Sequence, residues 1–523
     1  MQARSLLSLL LLASCLLSHV AALPVLNAVS RTSDYQRPRF ASPDIPLHDV
    51  RLQSAGGDVE QVHLMAWTPD SVTVVFARDL AGTGSGSIPL SETVHYGESM
   101  SDLNMHANAS GKTYTTINIF NSYLWEPPMG APTLDKADVA AVMNTAWWSK
   151  PWMYSYYNFS VDDVHDKTIY PPYDNPLAYY ASPLIYTATM TGLKPKTQYY
   201  YRIGSFMGNF TTLPVAGDNS KPLRIGLWAD VGQTNVSALN MEYMNEHVNP
   251  DVVMLAGDLS YADTYAPRWD TWGRLMQPLM STHLNLICNG NHEVASGPEQ
   301  NMAYSSRYPA PHRESGSPTF EYFSYETGLA HIVALGSYTV YNQSSLQYRW
   351  LENDLRSFNR SKTPWLILFW HTPTYTSNFG QGGATLLREW TEDLLYKYGV
   401  DIVLYGHIHE YERTAPVYKN QTNPCGPVYL TLGDAGNREG PTLPWLDPQP
   451  SWSLFREASF GVGSLELHNS TTASFSWHRV ACEDTNATHC KTPGDNSAQA
   501  YEPSDSATFV RDTAACPNRA MPS

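Results

Sequence analysis

The sequence predicts an N-terminal all-β sandwich followed by an α/β domain of β-α-β units with mixed sheets. Two changes of rhythm carry this expectation. In the first half, the short runs 61–67, 71–77, 92–96, 184–190 and 198–203 are rich in β-branched and aromatic residues and separated by Gly, Pro and Asp turns. Such runs read as strands, and their spacing reads as a sandwich. After Lys221, apolar runs alternate with stretches of helical period, which implies crossover connections and a substantially parallel sheet.

Taken in order, the chain opens with Arg4, the apolar run 6–17 and Val20-Ala21-Ala22. This is the pattern of a secretory leader, residues 1–22, cleaved after Ala22 and too short to span a bilayer comfortably. Residues 23–58 are polar and Pro-interrupted, and read as an irregular N-terminal extension. The β domain is expected at 59–214, broken at about 98–182 by an insertion dense in Trp, Tyr and Pro, including Trp147, Trp148 and Trp152. Those aromatics serve either the insertion's own packing or a contact surface. A linker is expected at 214–222.

The second domain is expected at 222–512. Its strands are read at 223–229, 252–256, 284–288, 365–370 and 400–405, and its helices at 236–247, 268–280, 346–358 and 384–398. Residues 427–432 and 461–478 return to β character. A disulfide-closed loop is read at about 480–502, a last strand at 506–510, and a polar tail at 513–523.

The formal net charge is -16, and the basic residues are scattered, which excludes a nucleic-acid surface. No later segment has the length and apolarity of a membrane span, and the C-terminus is not an anchor signal. Sequons at Asn108, Asn158, Asn209, Asn235, Asn342, Asn359, Asn420, Asn469 and Asn486 suit a glycosylated, secreted protein, in the extracellular space, the cell wall or a vacuole- or lysosome-like compartment. Once Cys15 leaves with the leader, Cys288 lies within an apolar run and reads as a buried free thiol. Cys425, Cys482, Cys490 and Cys516 can form two bridges whose pairing the sequence leaves open.

Five of the apolar runs end in side chains that can bind a metal. The run 223–229 ends in Asp230, 252–256 in Asp258 with Tyr261 close behind, and 284–288 in Asn291 and His292; 365–370 ends in His371, and 400–405 in His407 and His409. Each alone has an ordinary structural role, such as a helix cap or a turn. Together, at the ends of strands lying side by side, they would share one edge of the sheet. Mixed oxygen and nitrogen donors of this kind suit two metal ions sharing a carboxylate, the usual apparatus for hydrolysing phosphate esters. No nucleophile elbow competes with that reading, and the glycine-rich stretch 82–86 lies in the β region.

The series Asp230-x-Gly232, Gly257-Asp258-x-x-Tyr261, Gly290-Asn291-His292-Glu293, His371 and Gly406-His407-x-His409 resembles that of the purple acid phosphatases, in the family's order. Asp263, Tyr411-Glu412-Arg413 and the stretch 433–440 add family character. The resemblance extends over most of the chain. Residues 59–213 resemble the family's fibronectin type III-like domain, and those from about 222 onwards its calcineurin-like metallophosphoesterase domain.

The resemblance implies a ferric ion on Asp230, Asp258, Tyr261 and His409, and a divalent ion (Fe, Zn or Mn) on Asp258, Asn291, His371 and His407. Asp258 would bridge them, and the Tyr261 phenolate would give iron a visible charge-transfer band. His292 would contact the phosphoryl oxygens or act as general acid. It further implies an acid phosphatase that hydrolyses small phosphomonoesters by in-line attack of a metal-held hydroxide. A phytase or phosphodiesterase on the same scaffold, or an inactive binding or cell-surface homologue, are the alternatives. A homodimer is compatible with it.

There are two departures. Ala229 stands where Gly is frequent before the first Asp, without consequence for ligation. Plant members carry substrate-side histidines roughly nine or ten residues after the metal-binding His, where this chain has Gly380 and Gln381. Two readings of the loop 380–383, including Gly382 and Gly383, stay open: that it offers backbone N–H groups to the phosphate ahead of a helix, or that it is merely a flexible loop.

Overall fold

The computed structural model describes residues 44–47, 49–54, 58–78, 91–118, 178–263, 266–294, 301–379, 384–481 and 502–519. The leader, most of the N-terminal extension and of the aromatic insertion, the loop 380–383, and Cys482 and Cys490 lie outside these residues.

Among the described residues, a thirteen-stranded sheet and a seven-stranded sheet carry the architecture. In the larger, Leu223–Trp228, Val252–Ala256 and Leu284–Cys288 run parallel in register, with Ile225 opposite Val252 and Val252 opposite Leu284. In the smaller, Ala330–Ala334, Trp365–Phe369, Ile402–Tyr405 and Val428–Leu432 are parallel neighbours. Val252–Ala256, Trp365–Phe369 and Ile402–Tyr405 are apolar and buried throughout, as strands covered on both faces must be.

The alternation along these strands shows what covers them. Val252, Met254 and Ala256 join Trp365, Ile367 and Phe369 in the core between the sheets. Val253 and Leu255 face outward to the helix Pro267–Met280, and Leu366 and Leu368 to the helices Leu346–Ser357 and Thr385–Lys397. Two sheets therefore pack face to face, with helices on both outer sides. The antiparallel strands Phe460–Leu467, Thr472–Ala481 and Asp505–Val510 extend the larger sheet at one edge, which makes it mixed as expected.

The other edge receives the N-terminal β-rich domain. Glu60–Thr68 lies parallel to Leu284–Cys288, with Leu64 opposite Leu284, so the two regions share one hydrogen-bonded sheet. Residues near 214–222 are no free linker, since Gly217 N–H donates to Gly328 O at 2.7 Å and Thr327 Oγ1 to Pro214 O at 2.8 Å. The insertion starts later than its composition suggests. Met105–Lys112, Thr115–Asn118 and Ala178–Ala181 are strands within the stretch assigned to it; the first is polar and contains Gly111, and the other two are only four residues long, which hides the β pattern. Phe206–Thr211, the hairpin Phe323–Thr327 with Ala330–Ala334, and Tyr411–Thr414 are further strands that sequence reasoning missed.

The helix expected at 236–247 stops earlier. Thr234 caps it, accepting from Val236 N–H and Ser237 N–H, and Asn235–Tyr243 is α-helical before Met244–Val248 widens into π geometry. Cys288 is a buried free thiol, and Cys425 is bridged to Cys516. The described sequon asparagines are exposed or half-buried.

Candidate metal centre

The carboxyl ends of the central strands of both sheets meet at one place. Asp230, Asp258, Tyr261, Asn291 and His292 arrive from the larger sheet, and His371, His407 and His409 from the smaller. Asp230, Asp258, Tyr261 and His407 all hold positive φ, at 56°, 53°, 50° and 70°. Such conformations cost energy in non-glycine residues and cluster at functional sites. Gly290 is required by crowding, because a Cβ there would lie 2.0 Å from Asp258 Oδ1.

Two groups of ligand atoms form. In one, His371 Nε2 lies 3.1 Å from Asp258 Oδ2 and 2.9 Å from Asn291 Oδ1, and His407 Nδ1 lies 2.8 Å from that same Asn291 oxygen. In the other, Tyr261 Oη is 3.0 Å from Asp230 Oδ1 and 2.9 Å from His409 Nε2. Asp230 Oδ1 stands 3.9 Å from His371 Nε2, which joins the groups.

The tautomers decide what such a site suits. His371 Nδ1 faces Ala256 O at 2.8 Å, and His409 Nδ1 faces Gly440 O at 3.0 Å. A carbonyl only accepts, so each Nδ1 carries a hydrogen, and in the neutral ring each Nε2 has its lone pair directed inward; without a cation there, that nitrogen takes a proton instead. Asp258 Oδ2 is buried and takes no hydrogen bond. Carboxylate, amide and phenol oxygens converging with imidazole nitrogens suit cations, and the mixed donors fit the two ions that the resemblance implies.

The electrostatics agree. Burial opposes charge on His371, yet the Asp258 and Asp230 carboxylates outweigh it and hold the ring up to about 9. His409 is likewise raised to about 9 against its burial, by its hydrogen bond to Asp230. His407 is pushed down to about 3 by burial and by the His371 ring. Burial, with Asp230 and Asp258 nearby, raises the Tyr261 phenol well above its usual value. A site that draws protons onto its imidazoles also draws metal ions.

Three comparisons bear on this geometry. Residues 223–411 match the family model for calcineurin-like phosphoesterase, 426–489 that for iron/zinc purple acid phosphatase-like protein C, and 59–213 that for the purple acid phosphatase N-terminal domain. Purple acid phosphatase 21 of Arabidopsis thaliana is 42% identical over 310 residues, spanning 58% of this chain and 69% of that one. The chain belongs to the purple acid phosphatase family.

Purple acid phosphatase 15 of the same plant is 38% identical over 376 residues, spanning 59% of this chain and 70% of that one. The fold is that of the purple acid phosphatase PPD1 from yellow lupin seeds, with a TM-score of 0.63 at 20% identity over 89% of this chain and 77% of that one. As a purple acid phosphatase the protein is a metal-dependent hydrolase of phosphoric esters, and its family implies a dinuclear metal centre.

This purple acid phosphatase surrounds its ligands with residues to which sequence reasoning gave no role. Glu293 accepts from Asp258 N–H and Gly290 N–H, both at 2.8 Å, and from Leu259 N–H at 2.9 Å, fixing the turn that carries Asp258. Tyr338 Oη donates to Asn291 Oδ1 at 3.1 Å. His292 Nδ1 donates to Asp263 Oδ1, while its Nε2 lies 3.6 Å from Glu439 Oε1 and 3.8 Å from Asp258 Oδ2. Asp263 and Glu439 sit within the motif stretches that carry the resemblance, so a signal was present; nothing local said that both would face His292. Gly382 and Gly383 lie outside the described residues.

Proposed function

We propose that this protein is a secreted, glycosylated acid phosphatase that hydrolyses small phosphomonoesters, with a β domain at 59–214 and a catalytic domain at 222–512. Asp230, Asp258, Tyr261 and His409 would hold a ferric ion, and Asp258, Asn291, His371 and His407 a divalent one, Fe, Zn or Mn. Such a pair supplies Lewis acidity toward the phosphoryl oxygens and acidifies water near neutral pH.

The chain's own residues do the rest. Glu293 holds the backbone turn that carries Asp258, and the absence of a side chain at Gly290 leaves room for the Asp258 carboxylate. Ala256 O and Gly440 O fix the His371 and His409 rings, so that neither can turn its Nε2 away. His292, held at Nδ1 by Asp263, offers Nε2 on the side of Asp258 and Glu439. There it can hold a proton for the departing alkoxide of a phosphomonoester.

The observation that carries this reading is the convergence of His371 Nε2, Asn291 Oδ1 and the buried Asp258 Oδ2, which takes no hydrogen bond. No helix among the described residues is long and apolar enough to cross a membrane, which is compatible with export. Steady-state rates on a phosphomonoester, a phosphodiester and inositol hexakisphosphate, measured on one sample of known metal content, test it. A dominant rate on the diester or the inositol ester would replace the monoesterase reading, and metal-loaded protein inactive on all three would refute it.

A further inference from the structure

The short segment before the first strand belongs in sequence to the N-terminal extension, yet it packs on the catalytic domain. Ile45 N–H donates to Gln233 O at 2.8 Å, and Arg268 Nη1 donates to Ile45 O at 2.8 Å. Ile45 and Leu52 are buried in the cluster beneath the helix Pro267–Met280. This strap delivers Asp44, whose side chain is 1% exposed, against Arg438, whose side chain is 2% exposed.

A line of alternating charges runs from there into the centre. Arg438 Nη1 donates to Asp44 Oδ2 at 2.5 Å, and its Nη2 donates to Asp263 Oδ2. The other oxygen of Asp263 accepts from His292 Nδ1. Asp44 Oδ1 takes no hydrogen bond and is buried, and Arg268 Nε lies 3.9 Å from Oδ2, beyond hydrogen-bond reach, so this carboxylate is a costly way to fasten a strap. Its cost is accounted for if its work is to fix Arg438.

We propose that Asp44 is a positioning residue for His292. It holds one arm of the Arg438 guanidinium, which leaves the other arm set against Asp263. Asp263, with one oxygen fixed, presents the second to His292 Nδ1 and turns Nε2 toward the reacting group. A segment that precedes both domains thereby completes the catalytic site. The proposal rests on the reading of His292 as general acid.

The test is leaving-group dependence in the full-length, metal-loaded enzyme. An alkyl phosphate needs its leaving oxygen protonated, and p-nitrophenyl phosphate scarcely does. Asp44→Asn keeps the size of the side chain and removes its charge. It is expected to lower kcat on an alkyl phosphate about tenfold and on p-nitrophenyl phosphate less than about threefold, with KM and metal content unchanged.

His292→Ala is expected to show the same dependence with larger losses, and Asp44→Asn to add nothing in that background. Arg438→Gln should reproduce the Asp44→Asn pattern, which keeps the test open if Asp44→Asn fails to fold. Equal losses on both substrates in Asp44→Asn and Arg438→Gln, while His292→Ala remains leaving-group dependent, overturn the proposal alone. A His292→Ala enzyme without such dependence overturns the general-acid reading and the proposal with it.

Discussion

Tyr261 Oη and His409 Nε2 stand 2.9 Å apart, although one follows a strand of the larger sheet and the other a strand of the smaller. The contact exists because the carboxyl ends of both sheets are brought to one point. Tyr261 is also the ligand type that argues for a hard trivalent ion. Tyr261→Phe is therefore expected to abolish the visible absorption band while retaining more metal than Asp258→Ala, which removes the carboxylate proposed to be shared. Absorption spectra and metal analysis on the same samples check this, and a band that survives in Tyr261→Phe would mean that the phenol is not an iron ligand.

Glu293 binds no metal in this reading, yet three backbone N–H groups of the metal-bearing turns donate to it. Removing it leaves those donors buried and unpaired, and frees Asp258 from its strained conformation. Glu293→Ala should cost about 3 kcal/mol of stability and lower metal content below that of wild type. Glu293→Gln, which keeps the shape, should fall between. Denaturant unfolding with metal analysis decides it, and an alanine variant of wild-type stability and metal content would show that the turn holds itself.

The division between what could and could not be read from the chain follows from range. Val252–Ala256 and Trp365–Phe369 are uniformly apolar, so their ends, and hence the places of Asp258 and His371, are visible locally. His407 and His409 are separated by one residue on a short exit from a strand, and the spacing alone brings both to the edge. The meeting of Asp44 with Arg438, 394 residues apart, leaves no mark in either neighbourhood. Neither does the pairing of Glu60–Thr68 with Leu284–Cys288. Met105–Lys112 escaped notice because its stability comes from neighbours on both sides, Ser91–Gly97 and Leu184–Thr191, rather than from apolar alternation of its own.

The joint between the two domains has a polar centre. Arg307 donates to Gln61 Oε1 at 2.6 Å, to Asp270 Oδ1 at 2.9 Å and to Tyr180 Oη at 2.9 Å. It thus ties the first strand and Ala178–Ala181 to the helix Pro267–Met280. Arg307→Leu strips Asp270 of its cation within a buried site and should destabilise the protein by about 3 to 5 kcal/mol. Arg307→Leu combined with Asp270→Leu should recover part of that loss. Urea unfolding measures both, and a single-variant loss below about 1 kcal/mol would show that the domains dock through their shared sheet and apolar contacts alone.

His331 provides a pH-dependent contribution away from the metal centre. Its Nδ1 lies 3.2 Å from Glu326 Oε1 and its Nε2 2.8 Å from Asp354 Oδ2, tying the hairpin Phe323–Thr327 with Ala330–Ala334 to the helix Leu346–Ser357. Burial opposes the charged ring, but hydrogen bonds to Asp354 and Glu326 raise its pKa from 6.5 to about 9. The folded protein holds this proton more tightly than the unfolded chain does. The stabilisation is therefore complete below pH 6.5 and is lost as pH rises through about 9. At about 1.4 kcal/mol per pH unit the contribution is roughly 3 kcal/mol. The stability difference between wild type and His331→Asn should thus be larger by about that amount near pH 6 than near pH 9.5. Urea midpoints at the two pH values test it, and a difference that does not change would mean that the imidazole is uncharged between its two carboxylates.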